Sequence, residues 1–232
     1  MSRRLGSTTS HRMTVAPPPT PRSRWYGPAS RTFDLVVAAT AVALLSPLLG
    51  VIWLVIRVTS PGPAVFRQER IGRHGRPFVV YKFRTMVAGG SDDRHREYVT
   101  SLITDDAGGP DVVEGVYKLV DDDRITSVGR WLRRSSLDEL PQLFNVLEGS
   151  MSLVGPRPGL AYEVVLYGDL ERRRLLVKPG ITGLWQVSGR NNLSMRKMFE
   201  LDSVYVDEQS ILLDLRILSK TPRELLRPSG AQ

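Results

Sequence analysis

Residues 35–56, LVVAATAVALLSPLLGVIWLVI, form a run of 22 residues without a charged side chain. As one straight helix this run would span roughly 33 Å, which is about the thickness of the hydrocarbon core of a bilayer. A cleaved signal peptide fits less well, because the run is long, begins only at residue 35 and lacks a small-residue cleavage site after it. The segment therefore predicts a membrane helix.

Ser46 and Pro47 lie at the middle of this run, where proline removes a backbone donor and clashes with the carbonyl group four residues earlier. A kink is expected there, which leaves two halves of about 11 residues each. Arginines flank both ends of the run, so the positive-inside rule draws both ends to the cytoplasm. Two interpretations stay open from these residues: a re-entrant helix that enters one leaflet and returns, or a kinked helix that spans the bilayer.

The composition narrows the classes of function. The chain has 232 residues, of which 41% are hydrophobic, and this suits one domain of ordinary size with appended segments. Thirty-two Lys and Arg against 24 Asp and Glu give a net charge of +8, which favours an anionic partner: nucleic acid, phospholipid headgroups or a nucleotide-linked substrate. The chain contains no cysteine, which excludes thiol catalysis, disulfides and thiolate metal sites. Residues 1–31 are basic and rich in Ser and Pro, and they predict a disordered tail.

Residues 64–86, AVFRQERIGRHGRPFVVYKFRTM, predict a β-hairpin with its turn between Gly72 and Gly75. Strict alternation in the second strand places Lys82 and Arg84 on one face. Two neighbouring cations at the end of an apolar strand are suited to bind phosphate, and the alternative is a strand end exposed to solvent. Residues 87–120 are polar and contain glycine, and we assign them no function.

Residues 135–159, SSLDELPQLFNVLEGSMSLVGPRPG, carry the clearest chemical signal. Apolar residues at helical spacing predict a helix that ends at Gly149 and has Pro141 in its first turn. The adjacent Asp138 and Glu139 then lie at the helix start, where Asp138 is suited to be the N-cap and Glu139 to be stabilised by the helix dipole. A capping role is the structural alternative to a catalytic one.

Arginines surround this acidic pair: Arg130, Arg133 and Arg134 precede it, and Arg157 follows it between two prolines. Carboxylates near arginines stay ionised at neutral pH. An ionised Asp can attack phosphorus, an ionised Glu can hold Mg²⁺ across a diphosphate, and guanidinium groups can neutralise the transferred phosphoryl group. These residue types together indicate phosphoryl transfer.

Two further segments complete the candidate site. Residues 178–191, KPGITGLWQVSGRN, fit neither a helix nor a strand and predict a structured loop that includes Arg190. Asp202 follows on the apolar face of a helix, where a carboxylate needs a partner, and Arg190 is the candidate we favour. Residues 211–218, ILLDLRIL, are apolar enough to lie at a membrane interface or to pack on the core.

The ordered motifs of residues 33–222 closely resemble the bacterial sugar transferases, the monotopic polyprenyl-phosphate phosphoglycosyl transferases that begin exopolysaccharide, O-antigen and glycoprotein glycan assembly. Seven blocks carry the resemblance in order: the Ser46-Pro47 break, residues 61–70 (PGPAVFRQER), 82–86 (KFRTM), 123–129 (DRITSVG), 132–147 (LRRSSLDELPQLFNVL), 155–158 (GPRP) and 178–190. The long basic tail and the segment 87–120 depart from the family pattern.

The resemblance implies an α/β, mostly helical, cytosolic catalytic domain with a short β-hairpin, amphipathic interfacial helices and a Pro-broken re-entrant membrane helix. It implies a tail over residues 1–31, the re-entrant helix over 32–58, the catalytic domain over 59–222 and a C-terminal tail over 223–232. It places the protein on the cytoplasmic face of the bacterial inner membrane. It favours the re-entrant helix over the kinked span.

The resemblance also implies the reaction and its residues. A sugar phosphate would pass from a nucleoside diphosphate sugar, usually a UDP-sugar, to undecaprenyl phosphate, with Mg²⁺ as cofactor and release of a nucleoside monophosphate. Asp138 would be the nucleophile and Glu139 the Mg²⁺ ligand. The phosphate-binding or loop-ordering residues would be Lys82, Arg84, Arg133, Arg157 and Arg190, with Asp202 supporting Arg190. Further partners are a second copy of the chain or downstream glycosyltransferases.

Two other classes of protein explain parts of the sequence. A membrane-tethered nucleic-acid-binding protein would explain the net charge, but its cations should line one helix or alternate with exposed aromatics, and here they gather around carboxylates. We therefore expect no nucleic-acid partner. A non-catalytic membrane scaffold would explain residues 35–56, and it predicts that Asp138→Asn leaves function intact. The sequence does not name the sugar donor, the pathway or the oligomeric state.

Overall fold

A computed structural model describes residues 26–87, 100, 124–189 and 193–226. The predictions for residues 1–25, for most of 87–120, for Arg190 and for 227–232 lie outside this part of the chain. The labelled helices and strands, in chain order, are α1 Tyr26–Thr59, β1 Val65–Ile71, β2 Pro77–Phe83, α2 Ser127–Ser135, α3 Gln142–Glu148, β3 Ser152–Val154, α4 Ala161–Val165, α5 Asp169–Arg172, β4 Gly180–Thr182, α6 Met195–Glu208 and α7 Ile211–Leu226. The predicted mixture, mostly helical with a short hairpin, is confirmed.

Helix α1 is one continuous helix of 34 residues that contains Pro47. It begins at Tyr26, so residues 26–31, which the sequence assigned to the tail, belong to the helix. Pro47 has no N–H to give to the carbonyl of Ala43, and the Ser46 hydroxyl donates to that carbonyl at 2.9 Å instead. The helix is long and apolar enough to cross a membrane. Two halves separated by a break were expected here, and the break and the re-entry stay predictions.

Both halves of α1 pack against the rest of the protein. Ala38 in the first half is fully buried in the main hydrophobic core, and Ile52 and Ile56 in the second half pack with Phe83 and Leu132 in a separate cluster. The positions 38 and 56 are 18 residues apart, which is five helical turns, so they lie on the same face of the helix. The middle of α1 exposes apolar side chains to its surroundings.

Strands β1 and β2 form the predicted antiparallel hairpin, with Val65 opposite Phe83 and Ile71 opposite Pro77. The connecting turn places His74 and Gly75 in the left-handed region, at φ of 60° and 72°. A second sheet, the parallel pair of β3 and β4, was not predicted. Its strands have three residues each, too short for a periodic signal in the sequence.

A left-handed residue and a 3₁₀ turn connect α2 to α3. Thr126 caps α2 by accepting from the N–H of Gly129 at 2.9 Å, and Ser136 ends the helix in the left-handed conformation. A 3₁₀ turn of residues Leu137–Glu139 follows and leads directly into α3, whose N-cap position is occupied by Pro141. The prediction that Asp138 caps this helix is therefore wrong, because the 3₁₀ turn separates Asp138 from the first turn of α3.

Helices α6 and α7 cover the main core. Tyr205 of α6 and Ile217 of α7 are almost completely buried within it. The other face of α7 exposes Leu212 and Leu215, so the apolar segment predicted over residues 211–218 packs on the core with one side and is exposed on the other. Contact of that exposed side with a membrane interface stays a prediction.

Candidate active site

The acidic pair lies in the 3₁₀ turn between α2 and α3, beside strand β2. Asp138 is buried, with 7% of its surface exposed, and Glu139 is half-buried. Ser136, in the left-handed conformation, ends α2 and is the N-cap residue of the 3₁₀ turn. The turn therefore holds Asp138 and Glu139 at adjacent positions of the chain beside β2.

Glu139 is the centre of a cluster of charges drawn from three parts of the chain. One of its oxygens, Oε1, accepts from Lys82 Nζ of β2 and from Arg157 Nη1 of the loop after β3, each at 3.1 Å. The side chains are 18% exposed for Lys82 and Glu139 and 27% exposed for Arg157. We call Lys82, Glu139 and Arg157 the Glu139 cluster. The sequence predicted all three residues for the site, and the structure brings them together.

Burial determines the electrostatics of this cluster. It lowers the pKa of the Lys82 ammonium to about 8, and the Glu139 carboxylate opposes that shift. Arg157 and Arg70 lower the same pKa further, because neighbouring positive charges disfavour a third one. The pKa of Arg70 is itself lowered by burial and by Arg157. Positive charges crowded in a region that is only partly exposed to water favour the binding of an anion such as phosphate.

Several contacts fix the loop that carries Arg157. Arg70 Nη1 donates to the carbonyl of Pro158 at 3.1 Å, and the N–H of Ile71 donates to the carbonyl of Gly159 at 2.9 Å. The Glu163 carboxylate accepts from the N–H of Leu160 at 2.9 Å. The end of β1 and the start of α4 therefore hold Arg157 in place from both sides.

The structure places the other predicted site residues differently. Arg84 donates from Nη1 to the carbonyl of Pro61 at 2.6 Å and from Nη2 to the carbonyl of Ser60 at 2.9 Å, so its terminal nitrogens bind the chain that follows α1. Arg133 is half-buried near the end of α2. A phosphate-binding role of these two arginines stays a prediction.

Asp202 has a partner that the sequence analysis missed. Its Oδ2 accepts from Arg174 Nη2 at 2.6 Å, and the pair is buried, with 2% and 7% of the side chains exposed. Burial raises the pKa of the Asp202 carboxyl to about 6, and Arg174 opposes the shift. The guanidinium also lies over the rings of Phe199 and Tyr167, at 5.0 and 5.8 Å from their centroids. Pairing of Asp202 with Arg190 was expected, and Arg190 lies outside the described residues.

Arg174 also lines a small pocket beside the Glu139 cluster. The pocket walls include Arg70, Arg157 and Trp185. Arg174 has a partial signal in the sequence, since it is the last of three consecutive arginines and directly precedes two leucines. Asp202, on an apolar helix face, was expected to have a cationic partner. The partner lies 28 positions away in the sequence, and periodicity does not reveal a contact over that separation.

Within residues 26–87, 124–189 and 193–226, no group of three or more His, Cys, Asp or Glu side chains is placed to hold a metal ion. Two adjacent carboxylates are present at Asp138 and Glu139, beside cations that suit phosphate. Mg²⁺ commonly binds one or two protein carboxylates and completes its shell with substrate phosphates and water. The donor set is therefore compatible with Mg²⁺ that arrives with a diphosphate, and not with a cage built from protein ligands alone.

The family model described as bacterial sugar transferase matches residues 25–228, which include every residue of this site. The chain belongs to the bacterial sugar transferase family. The match confirms the resemblance seen in the motifs.

Individual members of the bacterial sugar transferase family are similar over most of the chain. An undecaprenyl-phosphate galactose phosphotransferase of Salmonella typhimurium is 44% identical over 201 residues, which cover 87% of this chain and 41% of that protein. The uncharacterized sugar transferase EpsL of Bacillus subtilis is 44% identical over 202 residues, 87% of this chain and 89% of EpsL. A UDP-glucose:undecaprenyl-phosphate glucose-1-phosphate transferase of Klebsiella pneumoniae is 39% identical and is covered over 38% of its length. The chain thus spans about two fifths of the Salmonella and Klebsiella proteins.

Proposed function

We propose that this protein transfers a sugar 1-phosphate from a UDP-sugar to undecaprenyl phosphate and releases the nucleoside monophosphate, as the first membrane step of polysaccharide or glycan assembly. The observation that carries the proposal is the Glu139 cluster beside Asp138, in a domain that packs on a long apolar helix. The names of the Salmonella and Klebsiella relatives, both transferases to undecaprenyl phosphate, support the same reaction.

Asp138 is the nucleophile in this proposal. A carboxylate oxygen of Asp138 attacks the phosphorus atom linked to the sugar, the bond from that phosphorus to the nucleoside monophosphate oxygen breaks, and the nucleoside monophosphate leaves with the electron pair. A phosphate oxygen of undecaprenyl phosphate then attacks the same phosphorus. The bond between phosphorus and the Asp138 oxygen breaks, which regenerates the carboxylate and forms the polyprenyl-diphospho-sugar.

The Glu139 cluster supports both steps by electrostatics. Lys82 and Arg157 carry positive charge at a position where negative charge accumulates on the phosphoryl oxygens during each displacement. Glu139 holds these two cations at 3.1 Å and so fixes their positions before substrate binds. Mg²⁺, bound by Glu139 and the substrate diphosphate, would neutralise the leaving phosphate. Arg133 and Arg190 are further candidates to bind phosphate, with Asp202 of the Asp202–Arg174 pair supporting the fold around them.

The location of the site suits an acceptor that is partly embedded in lipid. A polyprenyl carrier keeps its hydrocarbon tail in the bilayer and offers its phosphate at the depth of the headgroups. Helix α1 exposes apolar side chains along its middle and packs on the catalytic domain through both halves. A re-entrant arrangement, with both ends on the cytoplasmic face of the membrane, would place Asp138 where it meets both a soluble UDP-sugar and the lipid phosphate.

The direct test is the release of nucleoside monophosphate by the full-length protein in detergent with Mg²⁺, undecaprenyl phosphate and a panel of UDP-sugars. Asp138→Asn keeps the size of the side chain and replaces the negatively charged, nucleophilic carboxylate by a neutral amide. Asp169→Asn, which changes an exposed aspartate in the first turn of α5, is the matched control.

We expect release with one UDP-sugar by the wild type and by Asp169→Asn, and loss of release in Asp138→Asn. This pattern would establish the reaction and identify the donor. Equal release by Asp138→Asn would remove Asp138 as nucleophile. No release with any sugar would contradict the proposed donor class.

A further inference from the structure

The first part of α1 is bonded to the helix that follows the acidic pair. Arg31 donates from Nη1 to the carbonyl of Val146 at 2.5 Å and from Nη2 to the carbonyl of Leu147 at 2.8 Å. These carbonyls belong to the last turn of α3, where the helix dipole favours a cation. The Val146 carbonyl also accepts from the N–H of Gly149 at 3.1 Å, so Arg31 adds a second donor at this helix end. Helix α3 begins three residues after Glu139, so Arg31 joins α1 to the segment that presents Asp138 and Glu139.

One turn further along, α1 is bonded to the strand that leads to Arg157. Asp34 is 4% exposed, and its Oδ1 accepts from the N–H of Leu153 in β3 at 3.0 Å. The neighbouring residues of β3 pair with β4, whereas the N–H of Leu153 points to the other edge of the strand. Asp34 therefore supplies the acceptor that β4 does not, and it fixes β3 four residues before Arg157.

The other end of α1 is bonded to the strand that carries Lys82. Arg84 is buried, and it donates to the carbonyls of Ser60 and Pro61 and to the Ser60 hydroxyl at 2.7 Å. Gly62 allows this close approach, because it has φ of 106° and a Cβ there would lie 2.3 Å from Arg84 Nη1. Arg84 follows Lys82 by two residues, so it joins the end of α1 to the position of the Lys82 ammonium.

These contacts and the Glu139 cluster form a closed ring. From the start of α1, Arg31 leads through α3 to Glu139, and Asp34 leads through β3 to Arg157. From Glu139 and Arg157 the ring continues through Lys82 and Arg84 to the residues that follow α1. In a closed ring of bonded elements, a shift of either end of α1 must change the cluster or break one of the contacts. A misplacement of about 1 Å at a reacting group can reduce a rate by about 100-fold.

We propose that Arg31, Asp34 and Arg84 are positioning residues that couple the seating of α1 in the membrane to the geometry of Lys82, Glu139 and Arg157. The proposal rests on the proposed function and adds residues that none of the motif or family comparisons assigns to this role. For Arg84 it replaces direct phosphate binding, because the terminal nitrogens of that guanidinium already bind the chain after α1.

The test uses the full-length protein reconstituted in lipid nanodiscs, with kcat and KM for the UDP-sugar measured by nucleoside monophosphate release. The variants are Asp34→Ala, Asp34→Asn, which keeps an acceptor oxygen for Leu153, Arg31→Gln and Arg84→Gln. The matched control is Arg57→Gln. Arg57 lies near the end of α1 and donates to the carbonyl of Gly62 at 2.8 Å, but it is exposed and its partner is only five residues away in the chain. Thermal unfolding of each variant is measured in parallel.

We expect kcat to fall at least about tenfold in Asp34→Ala, Arg31→Gln and Arg84→Gln, with KM within about twofold of the wild type. Asp34→Asn should recover most of the lost kcat, and Arg57→Gln should match the wild type. Arg31 is half-buried whereas Asp34 is buried, so Arg31→Gln supplies the kcat test even where Asp34→Ala fails to fold.

Three outcomes would overturn the inference. An unchanged kcat in folded Asp34→Ala and Arg31→Gln would remove the coupling. A raised KM with unchanged kcat in Arg84→Gln would identify Arg84 as a phosphate ligand instead. A fall in Asp34→Asn equal to that in Asp34→Ala would show that charge, and not the hydrogen bond to β3, is what matters. If the wild type and Arg57→Gln release no nucleoside monophosphate, the proposed function itself fails, which separates the two failures.

Discussion

Glu139 and Asp202 both pair with arginine, and the two carboxylates differ in burial and in the number of their partners. Glu139 shares one oxygen between Lys82 and Arg157 at the half-buried edge of the domain. Asp202 pairs with Arg174 in the interior, where the Arg174 guanidinium lies over the rings of Phe199 and Tyr167. The Glu139 cluster carries more positive than negative charge, whereas the Asp202–Arg174 pair is balanced.

This difference in burial and net charge separates a site that can bind phosphate from an ion pair that stabilises the fold. A balanced ion pair without access to water has little capacity for a further anion, and removal of one partner leaves a buried charge. A half-buried cluster with excess cations can accept a phosphate from solution. We therefore propose that the Glu139 cluster and Asp138 carry out the chemistry, and that the Asp202–Arg174 pair stabilises the domain around the pocket.

The largest effect is expected from Asp202→Asn, which tests whether the Asp202–Arg174 pair stabilises the domain. The change leaves the Arg174 guanidinium buried without its counter-charge, so the free energy of unfolding should fall by about 3–5 kcal/mol. Thermal unfolding in detergent measures this loss. Glu200→Gln is the control, because Glu200 pairs with Lys197 on the surface and its replacement should leave the melting temperature almost unchanged. Equal melting temperatures of the two variants would contradict the comparison.

Glu139→Gln tests the catalytic role of the Glu139 cluster, and it should lower the rate while leaving the stability nearly unchanged. We expect the rate of nucleoside monophosphate release to fall by about 100-fold, which corresponds to roughly 2.7 kcal/mol of activation free energy. The melting temperature should change little, because the two cations are partly exposed and water can solvate them. Steady-state kinetics and thermal unfolding on the same sample check both parts. A large loss of stability with a normal rate per folded molecule would reverse our assignment.

Gly159→Ala tests how the two regions are connected. A Cβ at this position would lie 2.5 Å from the Tyr167 hydroxyl, which accepts from Arg174 Nη1, and Gly159 follows Arg157 by two residues. We expect a loss of about 1–3 kcal/mol in stability together with a lower rate, because the loop must move. Gly27→Ala, where a Cβ meets no atom within 4 Å, should leave both unchanged. A normal rate in Gly159→Ala would show that the loop adjusts without moving Arg157.

The smallest effect concerns pH and a third buried carboxylate. Asp214 accepts from the hydroxyls of Tyr26 and Tyr205, and burial raises its pKa to about 6. Between the usual pKa near 3.8 and this value the folded protein binds more protons than the unfolded chain. Stability should therefore fall as pH rises from about 4 to about 6 and stay level above that range. Melting temperatures across this range should depend less on pH in Asp214→Asn. An identical slope in both proteins would contradict the raised pKa.

The sequence predicted those parts of the molecule that depend on local pattern. The apolar helix, the hairpin with its turn near Gly75 and the helix after the acidic pair follow from periodicity and turn residues. Lys82 was predicted from the alternation in β2, Glu139 from the acidic pair among arginines, and Arg157 from its position between two prolines, and all three lie in motifs that resemble the family. The motifs alone do not show that Lys82 and Arg157 donate to the same oxygen of Glu139, because that contact depends on the tertiary structure.

The rest depends on contacts between distant segments. Arg174 as the partner of Asp202 and the bonds from Arg31 and Asp34 to α3 and β3 each join residues far apart in the sequence. The expected N-cap role of Asp138 was wrong because the left-handed Ser136 starts a 3₁₀ turn before α3, and sequence patterns do not resolve such a local choice.

The central claim is that Asp138 acts by covalent catalysis, and intact-protein mass spectrometry tests it most directly. The full-length protein is mixed with Mg²⁺ and the UDP-sugar that it uses, without an acceptor, and the reaction is stopped by acid. We predict a mass increase equal to one sugar phosphate, its disappearance when undecaprenyl phosphate is added, and its absence in Asp138→Asn. An adduct that still forms in Asp138→Asn, or release of nucleoside monophosphate by the wild type with no adduct at any time point, would contradict this account.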